Sequence, residues 1–300
     1  MHTFLRAIGI NENQNLQQIK DHTNKKLSEG YGEVYSDGKG NISIKCKNSE
    51  STGIAFLCDN MNGENAEELD KKYEAEVYFP FADAKCIQEY EDLTFEKSVM
   101  NNGLYGNCDE LGHGFSITFF VQNSLECGKF IRENGKRNVK SRIGLVGMSL
   151  AATVLMPVKK ENRVCLQNRM EEEERNSLIK QAREGNQDAM EKLTLDDMGE
   201  FGLLLKRVEN EDILSIVDTS IMPSGLQCDN YQIVGEILQI EEEVNEDTED
   251  EIYVMVLKCK KTKLTFVINK KDVLGEPKIG RRIRARIWLQ GKIEFGCREK

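Results

Sequence analysis

Three arginines and the single tryptophan share one face of a predicted strand near the end of the chain. Within the segment 281–289, residues 282–289 alternate between charged or aromatic and apolar residues, so every second side chain points to the same side. Arginine beside an aromatic ring is typical of a single-strand nucleic-acid surface, because guanidinium groups pair with phosphates and the ring stacks on bases. The candidate binding residues are therefore Arg282, Arg284, Arg286 and Trp288.

Charge elsewhere in the chain weighs against nucleic acid. The 41 basic and 51 acidic residues give a net charge of −10, which repels phosphates at long range. Residues 241–251 carry eight carboxylates and no base, and they connect the first two strands of the barrel expected at this end. The sequence therefore favours a structural role for the arginines, in which they pair with these acids or with those of the helical segment that precedes the barrel. Nucleic-acid binding is the alternative.

The sequence contains one weak candidate for a catalytic site, in the glycine-rich segment 106–114, which contains Cys108 and His113. A thiol near an imidazole is a possible nucleophile or metal site, whereas the simpler interpretation is a loop entering a strand. The sequence contains no nucleophile elbow, no phosphate loop, no HExxH helix and no CxxC pair. We therefore predict no catalytic residue, no bound metal and no cofactor.

The nine cysteines are scattered through apolar stretches, which predicts reduced, buried thiols and a cytoplasmic protein. The N-terminus lacks the features of a signal peptide. The longest weakly polar run, 143–158, is too short and too broken by glycine and proline to span a bilayer. We expect no membrane partner.

Periodicity divides the chain into three segments. Residues 1–160 combine short alternating strands with two helices, one at 15–27 and one that begins after Asn123, with Glu126 placed to complete its cap. Strands that follow strands predict an α+β domain with a mainly antiparallel sheet. Residues 161–211 are polar and predict an acidic helical connector.

The third segment, 212–300, predicts a small five-stranded β-barrel of the oligonucleotide-binding or SH3-like type. Its expected strands are 231–241, 251–259, 263–269, 281–289 and 292–295. Alternation predicts the residues that point into the barrel: Ile233, Ile237, Val254, Val256, Leu264, Phe266, Ile283 and Ile287.

Several blocks of the sequence resemble a family of bacterial proteins known only as a domain of unknown function. The most specific blocks are 1–9, 215–225, 229–231, 235–237, 269–282 and 288–291. The resemblance implies an intact bacterial cytoplasmic protein. It implies no activity, and no site residue carries over from it.

The sequence as a whole predicts a non-enzymatic cytoplasmic binding or scaffold protein with a protein partner. The alternatives are a nucleic-acid or nucleotide binder that uses the arginine face, and an enzyme that uses the segment of Cys108 and His113.

Overall fold

The computed structural model describes residues 2–10, 16–30, 32–38, 40–59, 74–97, 103–109, 116–134, 141–157, 174, 177–182, 184–195, 198 and 219–295. Strands dominate this part of the chain and helices accompany them. The mixed α+β class that the sequence predicts is therefore confirmed.

Four consecutive strands form a separate antiparallel sheet, here called the small sheet. They pair in chain order: β1 (Gly32–Ser36), β2 (Asn41–Lys47), β3 (Thr52–Asp59) and β4 (Glu74–Ala82). The β2–β3 turn is closed by a hydrogen bond of 2.9 Å from Asn48 N to Thr52 O.

Both predicted helices of the first segment lie against this sheet. Helix α1 (Leu16–Ser28) contacts β1 and β2, and helix α2 (Ser124–Asn134) contacts β2. Helix α2 begins directly after Asn123, as predicted, and Cys127 N donates to Asn123 O at 3.0 Å. The Asn123 side chain does not form the predicted cap, because its Oδ1 accepts from Ile293 N at 3.1 Å while its Nδ2 donates to Glu126 Oε2 at 2.9 Å.

The remaining strands form one mixed ten-stranded sheet. They are β5 (Gln88–Lys97), β6 (Leu104–Asp109), β7 (Ser116–Val121), β8 (Ser141–Leu155), β9 (Ser220–Pro223), β10 (Asn230–Val244), β11 (Glu251–Cys259), β12 (Thr262–Asn269), β13 (Val273–Leu274) and β14 (Arg282–Phe295). The β8–β12, β8–β13 and β7–β14 pairs are parallel. The other pairs are antiparallel.

Five of these strands close a ring in which each strand pairs with two others, in the order β10-β11-β12-β8-β14. Strands β8 and β14 pair from Ser141 opposite Phe295 to Leu155 opposite Arg282. A second closed path of pairings uses the other half of the same two strands, in the order β8-β5-β6-β7-β14. The β8–β14 pair is thus a wall common to both rings.

The first ring differs from the five-stranded barrel expected from residues 212–300 alone. Segments 281–289 and 292–295 are one continuous strand, β14, and the fifth strand of the ring is β8, from the first 160 residues. Gly291, at the predicted break, lies within β14. Glycine allows the Phe119 ring to lie close to the β14 backbone, because a Cβ on residue 291 would lie 2.5 Å from that ring.

The eight residues predicted to face inward are all buried, but the predicted phase of β11 is wrong. Val254 belongs to an outer core between the ring and the small sheet, whereas Tyr253, Met255 and Leu257 belong to the core that fills the rings. Both faces of β11 are apolar and buried. Because apolar residues occupy both faces, the sequence pattern of β11 does not indicate which side chains point into the ring.

The outer core joins the small sheet to the outer face of the ring wall. A 3-10 helix, His2–Ile8, contacts β4, β8 and β12 and buries Leu5, Ala7 and Ile8 there. Helical residues 177–182 and 187–195 are present in the predicted connector and are separated at Gly185, whose φ is +92°. Most of the remainder of 161–211 lies outside the described residues, and the division at 160 and 211 stays a prediction.

Candidate functional site

The four predicted binding residues lie on the outer face of β14, opposite the apolar side chains that fill the ring. The structure separates them into two buried and two exposed residues. Arg282 is buried, and its Nε and Nη2 both donate to Met156 O, at 2.9 and 2.8 Å. Arg282 therefore holds the chain where it leaves β8, and its position directly opposite Glu236 places a carboxylate beside it.

Trp288 is also buried, with 3% of its surface exposed. Its Nε1 donates a hydrogen bond of 2.6 Å to Asp229 Oδ2. Its ring packs among aromatic residues of the outer core, with centroids 5.5 Å from Phe4 and 5.6 Å from Phe120. No face of the indole is left for a nucleic-acid base.

Arg284 and Arg286 are exposed on neighbouring outward positions of β14. With its amide oxygen turned toward β14, Gln232 accepts hydrogen bonds from Arg284 Nη2 at 3.1 Å and Nε at 3.2 Å. Gln232 lies opposite Arg286 on one side and opposite Met222 of β9 on the other.

Exposed apolar side chains accompany these arginines. Met222 is 59% exposed, and Leu226 in the loop after β9 is fully exposed. This loop approaches Arg286, because a Cβ on Gly225 would lie 2.6 Å from Arg286 Nη2. We call this patch the arginine surface, and it consists of Met222, Leu226, Gln232, Arg284 and Arg286.

The acidic segment that was expected to neutralise the arginines pairs with lysines instead. Strand β10 extends to Val244 and β11 begins at Glu251, so four of the eight carboxylates lie within strands rather than in the loop. Ion pairs join Glu241 to Lys85 at 2.7 Å, Glu242 to Lys270 at 2.9 Å and Asp247 to Lys26 at 2.9 Å. A further ion pair joins Asp250 to Lys271. The hydrogen bond from Lys85 to Glu241 raises the pKa of Lys85 against the effect of burial.

Within the acidic segment, Glu243 and Asn245 bind the N-terminal part of the chain to the ring. The buried Glu243 carboxylate accepts hydrogen bonds from Ser49 Oγ at 2.6 Å, from Ser51 N at 2.9 Å and from Ser51 Oγ. Asn245 Nδ2 donates to Ile8 O at 2.6 Å. These contacts have a structural role, and the sequence showed only an acidic run.

The weak enzymatic candidate that combines Cys108 with His113 lies only partly within the described residues. Cys108 is completely buried in the core of the rings, with its Sγ 3.7 Å from Ile117 O, and His113 lies outside the described residues. Within the part of the chain that the structure describes, no group of three or more histidine, cysteine or acidic side chains is arranged to hold a metal ion. No helix in this part is long and apolar enough to cross a membrane.

Comparison with known proteins identifies a family. The sequence profile of the family described as "Domain of unknown function, E. rectale Gene description (DUF3881)" matches residues 5–291. No curated protein sequence matches the chain, and no solved structure matches it. The match covers nearly the whole chain, which therefore belongs to the DUF3881 family, a domain of unknown function.

Proposed function

We propose that this chain is a non-enzymatic binding protein and that the arginine surface is where it holds a protein partner. The observation that carries the proposal is the placement of two exposed arginines beside the exposed Met222 and Leu226 on one face of a closed ring. Arginine and methionine are enriched at protein interfaces, and arginine is frequent among residues that dominate binding energy. A cytoplasmic setting, which the scattered cysteines predict, is part of this proposal.

The ring wall supplies a rigid platform for such contacts. Strand β14 is paired with β8 on one side and β10 on the other, so its backbone cannot shift independently. Gln232 holds the Arg284 guanidinium in place. Binding then costs less side-chain entropy than it would for a free arginine.

Nucleic acid is the second candidate, and the same two arginines favour it. The buried Trp288 removes the stacking platform that this function needs, and the net charge of −10 opposes it. Exposed apolar side chains gain nothing from phosphates, whereas a protein surface offers them contact. The partner that fits best is therefore a protein with carboxylates next to an apolar patch.

Affinity capture from the native cytoplasm compares the wild type with Arg284→Gln/Arg286→Gln. The matched control is Arg142→Gln, an exposed arginine of β8 whose closest ion pair, to Glu294, is 3.7 Å long. We expect a partner that the wild type and the control retain and that the double variant loses. Because both arginines are exposed, the free energy of unfolding should change by no more than about 1 kcal/mol.

Two results would argue against the proposal. The same partners on the wild type and the double variant would place binding elsewhere on the chain. Retention of a short oligothymidylate at about 0.15 M salt, lost in the double variant with a salt slope flattened by about 1.4, would establish the nucleic-acid function instead.

A further inference from the structure

A cleft lies beneath α2, away from the arginine surface. It is open to solvent and is bordered by the face of α2, by one end of the small sheet and by the ends of β5 and β6. Its volume is about 150 Å³. An apolar cavity of roughly this size accepts a benzene-sized group.

Gly128 leaves room for a ligand in this cleft. It lies in the interior of α2, where glycine is less favourable for a helix than alanine. Its φ is not positive, and the nearest atom to an added Cβ is Arg132 Nη1 at 3.8 Å. Neither backbone conformation nor close packing requires glycine here, and a side chain at this position would occupy the cleft.

Among the described residues that line the cleft, the charged side chains leave one positive charge in excess. The buried carboxylate of Asp37 accepts hydrogen bonds from Asn41 Nδ2 at 2.9 Å and from Arg132 Nη2 at 3.2 Å. Arg132 lies one turn beyond Gly128 on α2, and its guanidinium has further N–H donors. Lys97, at the end of β5, supplies a second cation to the same cleft.

Apolar side chains complete the lining on all three sides, with Leu125 on α2, Leu57 on β3 and Leu104 on β6. We propose that the cleft beneath α2 binds a small carboxylate with an apolar body of about the size of benzene. The carboxylate lies against Arg132 and Lys97, and the body contacts the leucines. A ligand with a single negative charge fits better than a phosphate dianion, because Arg132, Lys97 and Asp37 together carry a net charge of +1. The carboxylate of Asp37 also repels additional negative charge.

The test uses the full-length protein and three probes, which are benzoate, isovalerate and the neutral benzamide. Binding is followed by chemical-shift changes of the backbone amides of α2 and β5. We expect saturable binding of both anions, with dissociation constants in the millimolar range or below, and binding of benzamide at least tenfold weaker. The neutral probe separates the contribution of charge from that of apolar contact.

Two variants assign the binding to this cleft. Gly128→Leu fills it and favours the helix, so the protein should remain folded while affinity for both anions falls at least tenfold. Lys97→Gln should weaken the anions and leave benzamide unchanged. The control is Lys129→Gln, an exposed residue of α2 that does not line the cleft. The proposal is overturned if neither anion binds saturably, or if Gly128→Leu binds them as tightly as the wild type does.

Discussion

The indole Nε1 of Trp288 donates a 2.6 Å hydrogen bond to Asp229 Oδ2, and the carbonyl of the same aspartate accepts from Leu289 N at 2.8 Å. Asp229 thus binds two successive residues of β14, one through its side chain and one through its backbone. This clamp fixes the loop after β9 onto the wall shared by the two rings. The chain's only tryptophan therefore has a structural role.

The first prediction concerns the fluorescence of Trp288. Because the ring is buried among Phe4, Phe79 and Phe120, its emission should be shifted to the blue relative to free tryptophan, and iodide should quench it little. Unfolding in urea should abolish both differences. Native emission and quenching equal to those of the unfolded chain would contradict the buried placement.

The second prediction concerns the pH dependence that Asp229 imposes. Burial raises the pKa of Asp229 above its ordinary value of 3.8, and the hydrogen bond from Trp288 only partly opposes this. On acidification the folded protein therefore binds this proton before the unfolded chain does, and the wild type gains stability between the two pKa values. Asp229→Asn keeps an acceptor for Trp288 but cannot titrate.

We therefore expect the stability of the wild type, relative to Asp229→Asn, to increase as the pH falls from neutral to about 4. Urea unfolding of both proteins across this range measures the difference. The contributions of other carboxylates cancel in the comparison. A wild type that loses stability relative to the variant on acidification would reverse the sign and exclude a raised pKa.

Local patterns predicted the parts of the fold that depend on neighbouring residues. The inward set of β14 followed from alternation, and the start of α2 followed from Asn123 and Glu126. Alternation assigns a side chain to a face but does not say what covers that face. Trp288 therefore shared a predicted surface with Arg286, although the outer core covers only one of them.

Contacts between distant segments had no local signal. Strand β8 joins the ring through complementarity with β14, about 140 residues later in the sequence. The acidic segment was recognised as charged, but the serines that Glu243 binds lie near residue 50 and carry no pattern of their own. The cleft beneath α2 likewise combines residues from several separate elements.

The third prediction tests the contact between β8 and β14 inside the ring. A Cβ on Gly147 of β8 would lie 2.8 Å from Cδ1 of the fully buried Ile287. Gly147→Ala should therefore destabilise the protein by roughly 1–3 kcal/mol, and Ile287→Ala by roughly 2–5 kcal/mol. Ile287→Val alone should cost about 0.5–1.5 kcal/mol.

Combining Gly147→Ala with Ile287→Val should cost less than the sum of the two single changes, because valine lacks the Cδ1 that clashes. We expect a coupling of about 0.5 kcal/mol or more in urea unfolding. Strict additivity would mean that these two residues do not face each other, and the first ring would not close through β8 as described.

The fourth prediction distinguishes two thiols. Cys108 is completely buried, whereas Cys228 is exposed, and desolvation followed by the charge of Asp229 raises the pKa of Cys228. In the native protein, Cys228→Ser should remove one thiol that a disulfide reagent modifies, whereas Cys108→Ala should remove none. In denaturant the wild type should return all nine thiols. Rapid native modification that disappears in Cys108→Ala would instead support a reactive centre at this position.

The last prediction concerns Glu243, whose carboxylate docks the β2–β3 turn onto the ring. Glu243→Ala leaves the hydroxyls of Ser49 and Ser51 and the Ser51 amide without their acceptor, at a cost of roughly 2–4 kcal/mol. The neighbouring Glu242 is exposed and pairs with Lys270, so Glu242→Ala should cost no more than about 1 kcal/mol.

Hydrogen exchange distinguishes loss of this docking from general destabilisation. In Glu243→Ala the amides of the β2–β3 turn should exchange faster than those of β12, which is held in the ring by its pairing with β11 and β8. In Glu242→Ala both sets should keep their wild-type rates. Uniform acceleration across the small sheet and the ring would show that the two parts unfold together and that Glu243 does not control their docking. Unchanged exchange in Glu243→Ala would show that the outer core holds the small sheet in place without this carboxylate.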